Sequence, residues 1–163
     1  MSFYIDLQDE LVDRLNAWFL AKTLVFKAVS MPETDAEGQD IIDTYRDTPI
    51  ACVTYNDSVY KDSDNVNHVV QGEVVSVAIL LINYLVSSDT GIYEMQSQIN
   101  QCLLGFNPSN CSKRLVLQKF QKVDWSNFGI YNTIFFNTER PVVQYDDEEI
   151  ILGPHFKTLT VIE

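Results

Sequence analysis

The side chains best suited to chemistry in this sequence are three cysteines and two histidines. A thiolate beside an imidazole base is the arrangement that cysteine hydrolases use, and the partners need only meet in space. The five residues are Cys52, Cys102, Cys111, His68 and His155. No signature of a catalytic cysteine surrounds the thiols, and the chain has no nucleophile elbow, Walker loop or dinucleotide-binding glycine motif. We therefore interpret the cysteines as structural thiols of a reducing compartment and predict that the chain is not an enzyme.

Acidic side chains are concentrated in two segments, where they could hold a cation or repel a polyanion. These residues are Asp57, Asp62, Asp64, Asp146, Asp147, Glu148 and Glu149. The first segment begins like a calcium-binding loop at Asp62, but the fifth and sixth positions are Val66 and Asn67, and such loops need glycine at the sixth. The second segment is most simply a solvated acidic turn. We therefore predict no metal site and no cofactor.

The charge balance excludes one broad class of function. Lys and Arg number 11 and Asp and Glu number 23, so the formal net charge is −12. Proteins that bind the phosphate backbone of nucleic acids use clustered Lys and Arg side chains. Because acidic residues dominate here, we predict no specific nucleic-acid recognition. The 163 residues, 46% of them hydrophobic, are expected to form one globular domain, residues 1–163. We also expect an intracellular protein without a signal peptide or a membrane partner.

Two main helices and a set of strands must position these side chains. Apolar residues at helical spacing predict both helices, and Gly105 is expected to end the second with a left-handed cap. The apolar stripes are Leu7, Leu11, Leu15 and Trp18 in the first helix and Ile92, Met95, Ile99 and Cys102 in the second. The predicted strands are Thr23–Ser30, Ile50–Tyr55, His68–Val86, Arg114–Trp125, Gly129–Glu139 and Lys157–Ile162.

The longest predicted strand organises the fold. Its segment Val74–Val86 is apolar on both faces, which indicates an interior strand covered on each side. An acidic loop at residues 31–49, with at most one helical turn around residues 40–45, and an acidic turn at residues 146–154 are predicted surface insertions. Residues 56–67 are expected to be rich in turns and to project from the body. The fold class is α+β, a single mostly antiparallel sheet with two main helices packed on it.

Aromatic residues make up 12% of the chain and are concentrated in its second half. Most are expected in the core, but aromatic side chains on a sheet surface suit a protein contact, where they anchor binding. Strand alternation places Tyr131 and Phe135 on one side and Ile134 and Phe136 on the other. Tyr131 and Phe135 are therefore the candidate aromatic residues of an assembly face.

Several short motifs of the second half are similar to those of a phage protein family. The helix ending QCLLGFNP at Gln101–Pro108 is followed by the aromatic segments Val123–Trp125, Phe128–Tyr131 and Ile134–Glu139. Across residues 48–143 this pattern resembles small phage proteins of Mu-like and related tail operons. More loosely, it resembles the tail terminator, or tail-completion, proteins of long-tailed phages.

The resemblance implies a structural virion protein with a tail-terminator-like fold. Such proteins form six-membered rings on the end of the tail tube, stop its polymerisation and provide the surface for head–tail joining. The implied partners are identical copies, the tail tube protein, the sheath and a neck connector protein, while DNA passes through without specific binding. The implied location is the tail end of the virion at the neck, after assembly in the host cytoplasm. No cofactor and no catalytic residue carries over, and segments 31–49 and 146–154 depart from the family pattern.

Several alternatives stay open at this point. Either acidic segment can face the lumen of a ring, where it would repel DNA, and both can equally be outer solvated turns. A head–tail connector or stopper of the neck would keep the phage context but change the position. A small cysteine hydrolase using His68 or His155 and a cytoplasmic binding module of the host belong to other functional classes.

Overall fold

A computed structural model describes residues 2–62, 70–83, 88–122 and 130–143. In these ranges the chain forms three helices and five strands. In chain order they are α1 (Phe3–Ala21), β1 (Lys27–Ser30), α2 (Asp35–Thr44), β2 (Ile50–Tyr60), β3 (Val70–Asn83), α3 (Ile92–Leu103), β4 (Val116–Lys122) and β5 (Ile130–Val143). No helix within these ranges has the length and apolar character needed to cross a membrane.

The strands form one sheet in the order β1-β2-β3-β5-β4. Strand β1 runs parallel to β2, and the other neighbours are antiparallel. The predicted α+β class with a single, mostly antiparallel sheet is confirmed. Strand β3 lies between β2 and β5, as predicted for the strand that is apolar on both faces.

Helices α1 and α3 cover one face of this sheet. Alternate residues of β3 from Glu73 to Asn83 are buried on that face, because successive side chains of a strand point to opposite sides. Ile134 and Phe136 of β5 continue the same core. The fully buried α1 residues are Leu7, Leu11, Leu15 and Phe19.

Trp18 packs against the core, as its predicted place in the α1 stripe requires, but it is not the residue that fills the core. Phe19 continues the spacing of four residues and is 1% exposed, whereas Trp18 is half-buried at the rim. An indole N–H needs a hydrogen-bond partner when it leaves water. Trp18 finds one at the rim, where its Nε1 donates to Gln98 Oε1 over 2.9 Å.

The predicted end of α3 is confirmed. Gly105 has a φ of 80°, a left-handed conformation that costs other residues a steric penalty. Its N–H donates to the carbonyl of Leu115 over 2.9 Å, and Leu115 N–H donates back to Phe106. The chain is thereby turned from α3 towards β4.

The acidic segment 31–49 is not a loop with one helical turn at most, because it contains the ten-residue helix α2. Thr34 Oγ1 accepts a hydrogen bond from Glu37 N–H at its start, a normal N-terminal cap. No residue of α2 is fully buried. Its apolar stripe is short, with Ile41 and Tyr45 turned to the sheet between acidic residues, so hydrophobic periodicity detects it poorly. The described chain thus has three helices instead of two.

Several strand boundaries also differ from the predictions. Strand β1 begins at Lys27, four residues after the predicted start, and Thr23 adopts a left-handed turn conformation with a φ of 57°. Strand β4 begins at Val116 instead of Arg114, and β5 ends at Val143 instead of Glu139. Strand β2 runs to Tyr60, five residues beyond its predicted end at Tyr55. A register irregularity between Tyr55 and Asp57 lets β2 stay paired with β3 although its sequence becomes polar. The predicted strand Lys157–Ile162 lies outside the described residues.

Candidate functional site

The structure does not assemble the predicted acidic residues into one site. Asp57 lies within β2, paired with Ser76 of β3, and is exposed. Asp62 is exposed just after the end of β2. Asp64 and the residues 146–149 lie outside the described residues. In the described ranges, no group of three or more metal-ligating side chains occurs.

The predicted assembly aromatics lie on β5. Phe135 is half-buried on the sheet face opposite α1 and α3, next in the ladder to Ala78 of β3 and Lys119 of β4. The Lys119 ammonium stands 4.5 Å from the centre of its ring, a cation–π contact. Tyr131 is paired with Ile82 at the other end of the same strand.

Cys52 lines an apolar pocket in the described part of the chain. This apolar cavity of about 160 Å³ lies between α2 and the second face of the sheet, with Ile41 and Tyr45 on one side and Leu80 and Ile82 on the other. Burial raises the pKa of the Cys52 thiol to about 11. The pKa values of Cys102 and Cys111 are also raised, again chiefly by burial.

A thiol in this state is a poor nucleophile, because the thiolate is the reactive form. Both histidines proposed as its base, His68 and His155, lie outside the described residues.

The state of Cys52 predicts slow alkylation in the folded protein. At pH 8 we expect iodoacetamide to modify Cys52 about 100-fold more slowly than in urea, because a pKa near 11 leaves few thiolates and the side chain is 4% exposed. Peptide mapping by mass spectrometry after timed labelling measures both rates. Equal rates in the native and unfolded chain would contradict a buried thiol with a raised pKa, and a faster native rate would indicate an activated thiol and favour the hydrolase.

A buried ion pair joins α1 to three strands at one end of the sheet. The Glu73 carboxylate is fully buried and accepts hydrogen bonds from Arg140 Nε at 2.6 Å and from the Tyr4 hydroxyl at 2.7 Å. Ser58 of β2 donates to the same carboxylate. The Arg140 guanidinium also stacks 3.8 Å from the centre of the Phe3 ring. These contacts join α1 to the sheet through Tyr4 and Phe3 and join β2, β3 and β5 to one another through the Glu73 carboxylate.

The electrostatics of this cluster agree with a structural role. Burial alone would raise the pKa of Glu73, but the hydrogen bonds from Ser58, Tyr4 and Arg140 outweigh it and hold the pKa below its usual value. Hydrogen bonding to Glu73, together with burial, raises the pKa of Tyr4 to about 12. The cluster therefore stabilises the fold above pH 4.5, the ordinary value for Glu, and this contribution is lost as the pH falls through the lowered pKa.

The two edges of the sheet differ in how they are closed. At the β1 edge, the Asn16 side chain donates to the carbonyl of Ala28 and accepts from its N–H, both over 2.9 Å. This amide takes the place of a neighbouring strand and blocks pairing there. At the β4 edge, no strand or side chain of the described ranges bonds to the outer side of Val116–Lys122. Val116 is 55% exposed and Leu117 42% exposed on this open edge.

Charge is distributed unevenly between the β4 edge and α2. The segment 109–122 holds no acidic residue and four cations, which we call the basic edge: Lys113, Arg114, Lys119 and Lys122. The segment 33–47, which contains α2, holds the single cation Arg46 and six acids, which we call the acidic helix: Glu33, Asp35, Glu37, Asp40, Asp43 and Asp47. In the described structure, none of these six carboxylates forms a salt bridge.

These two charged surfaces and the ion pair were missed by the sequence analysis. A signal for the ion pair was present, because Glu73 interrupts an otherwise apolar strand and a buried charge needs a partner. A signal for the basic edge was present as well. Four of the eleven Lys and Arg residues of a strongly acidic chain fall within ten positions.

Comparison with known proteins places the chain in a family. The model of the Gp37 protein family matches residues 22–163. The chain belongs to the Gp37 family. No curated protein matches it. A chain of the virion of a native gene transfer agent (GTA) particle is similar in structure, with 13% sequence identity and a TM-score of 0.48, over 83% of the Gp37-family chain and 95% of the other chain.

Proposed function

We propose that this Gp37-family chain is a structural virion protein that caps the tail tube as a ring. In this role it ends tube polymerisation and offers the surface for head–tail joining, without catalysis and without a cofactor. Its partners would be identical copies, the tail tube protein and a neck protein. Its place would be the tail end of the virion, after assembly in the host cytoplasm.

The observation that carries the proposal is the outer side of β4, to which no residue of the described ranges bonds. An exposed strand edge with apolar side chains is a template for pairing with another chain, and monomeric proteins usually cover or blunt it. Here the opposite edge is blocked by Asn16 while Val116 and Leu117 stay exposed. An assembly subunit needs such a surface, and the resemblance to tail terminators supports the same role.

The net charge of −12 supports the proposal from another direction. DNA must pass through a ring at the tail end, and negative side chains near the passage would keep its phosphates from binding. Salt screens charges that are more than about 8–10 Å apart, so only acids close to the lumen would act on the DNA. Asp57 and Asp62 are exposed and are available for this role.

Electron microscopy of the purified protein with tail tubes tests the proposal. We expect closed rings, and we expect extra density at one end of each tube. A protein that stays monomeric and never decorates tube ends would contradict it. Gold labelling of disrupted particles separates the alternative position, because a connector would stay with tailless heads and a terminator with headless tails.

A further inference from the structure

We infer that the basic edge of one copy docks against the acidic helix of a second copy. This inference rests on the proposed function, since it names the contact by which copies would join side by side. The contact has two surfaces. One is the outer side of β4 with Lys113 and Arg114 on one copy, and the other is the segment 33–47 on the next copy.

The basic edge has charge and apolar surface to offer. Among the described residues Arg114, Lys119 and Lys122 form no salt bridge, and the Lys119 ammonium lies 4.5 Å from the centre of the Phe135 ring. Lys113 forms a solvent-exposed salt bridge with Glu139 at 2.9 Å. Val116 and Leu117 supply apolar area beside these charges. No described residue bonds to the outer backbone groups of β4 on the same edge.

The acidic helix has the complementary character. Its carboxylates have no cationic partner in the described chain, and Ile42 is 45% exposed among them. A ten-residue helix is marginally stable by itself in water, and α2 has no fully buried residue to hold it. A second surface that contacts α2 from outside would therefore stabilise it.

The net charge explains why the second surface belongs to another copy. Two chains of −12 repel each other unless a local patch of opposite sign meets an acidic one. The basic edge is the densest cationic segment of the chain, and the acidic helix is the segment with most unpaired acids in the described structure.

The two surfaces do not meet within one copy. Helix α2 lies over Cys52, Leu80 and Ile82 of β2 and β3, whereas β4 lies on the far side of β5.

This geometry makes the contact head-to-tail. The two surfaces differ, so each copy uses its β4 on one side and its α2 on the other. A contact of that kind generates a closed ring when the rotation between copies closes. The β1 edge, which could have continued the sheet from copy to copy, is blocked by Asn16.

Charge reversal in two variants tests the contact on the full-length chain. Arg114→Glu, Lys119→Glu and Lys122→Glu together change the charge of the basic edge from +4 to −2, and Asp40→Lys, Asp43→Lys and Asp47→Lys together change that of the acidic helix from −5 to +1. All six residues are exposed, so each variant should fold, which circular dichroism checks. We expect each variant alone to associate at least about tenfold more weakly than the wild type in sedimentation velocity, because like charges would then face each other.

Mixing the two variants provides the decisive result. Each edge then meets a helix of opposite charge, so we expect the mixture, and a chain with all six substitutions, to form rings again. As a matched control, Asp6→Lys, Asp13→Lys and Asp89→Lys together change the net charge as much as the helix variant does, at exposed sites elsewhere. We expect this control to assemble at least as well as the wild type.

The outcomes separate this contact from the proposed function. If both charge-reversed variants still formed rings like those of the wild type, the contact would be overturned, but the proposed ring would not. Variants that fail to assemble and are not restored by mixing would overturn the pairing of β4 with α2. If the wild-type protein stayed monomeric and formed no ring at tube ends, both the proposed function and the contact would be overturned.

Discussion

Arg140→Met is expected to lower the free energy of unfolding by about 3 kcal/mol, because it leaves the Glu73 carboxylate buried without its counter-charge. Glu73 is 0% exposed, so water cannot replace the lost guanidinium. The substitution also removes the cation–π contact with Phe3 that secures the start of α1. Urea unfolding followed by circular dichroism at pH 7 measures the change.

Two further variants isolate the cause. Lys61→Met removes an exposed ion pair to Glu139, which keeps Lys113 as a partner, and should cost less than about 1 kcal/mol. Glu73→Gln combined with Arg140→Met should be more stable than Arg140→Met alone, because no unpaired charge stays buried. Equal losses for Arg140→Met and Lys61→Met would contradict the assignment of a buried ion pair.

Ile79→Asp is expected to prevent folding of the subunit. Ile79 is 0% exposed and lies in the middle of β3, in register with Val53 of β2 and Ile134 of β5. An unpaired carboxylate there costs several kcal/mol or more, against a total stability of roughly 5–15 kcal/mol for a domain. We expect insoluble protein, or a soluble chain without a cooperative thermal transition in circular dichroism. The same result is expected for Leu81→Asp, which is equally buried.

Val59→Asp is the matched control for this prediction. It introduces the same carboxylate on the adjacent strand β2, but at a side chain that is 63% exposed. We expect this variant to fold and to melt within a few degrees of the wild type. If Ile79→Asp also melted cooperatively at a similar temperature, the interior position of β3 would be wrong.

The elements with strong hydrophobic periodicity were predictable. The leucine spacing of α1, the stripe of α3 and the two-sided apolar run of β3 all correspond to elements of the structure. In each case the side chains that define the period are those that leave water, so pattern and burial have the same cause. The left-handed conformation of Gly105 was also predictable, because glycine has no Cβ atom to make it unfavourable.

Elements held by other forces were not predictable in this way. Helix α2 has only a short apolar stripe, Ile41 and Tyr45, among acidic residues, and the end of β2 from Asp57 to Tyr60 is a strand because β3 offers it a partner. The candidate aromatics Tyr131 and Phe135 and the acidic lumen residues stay predictions, since an assembly face is defined by a partner.

The α+β class, the central strand and the acidic surface could be predicted without a structure. These properties follow from side-chain chemistry and local spacing, which every segment carries with it. The folded chain was needed to show that Glu73 meets Arg140, that Asn16 blocks the β1 edge, and that the basic edge and α2 lie apart on one chain. Such contacts join residues up to 67 positions apart, and their distance in space depends on strand order, which local patterns do not encode.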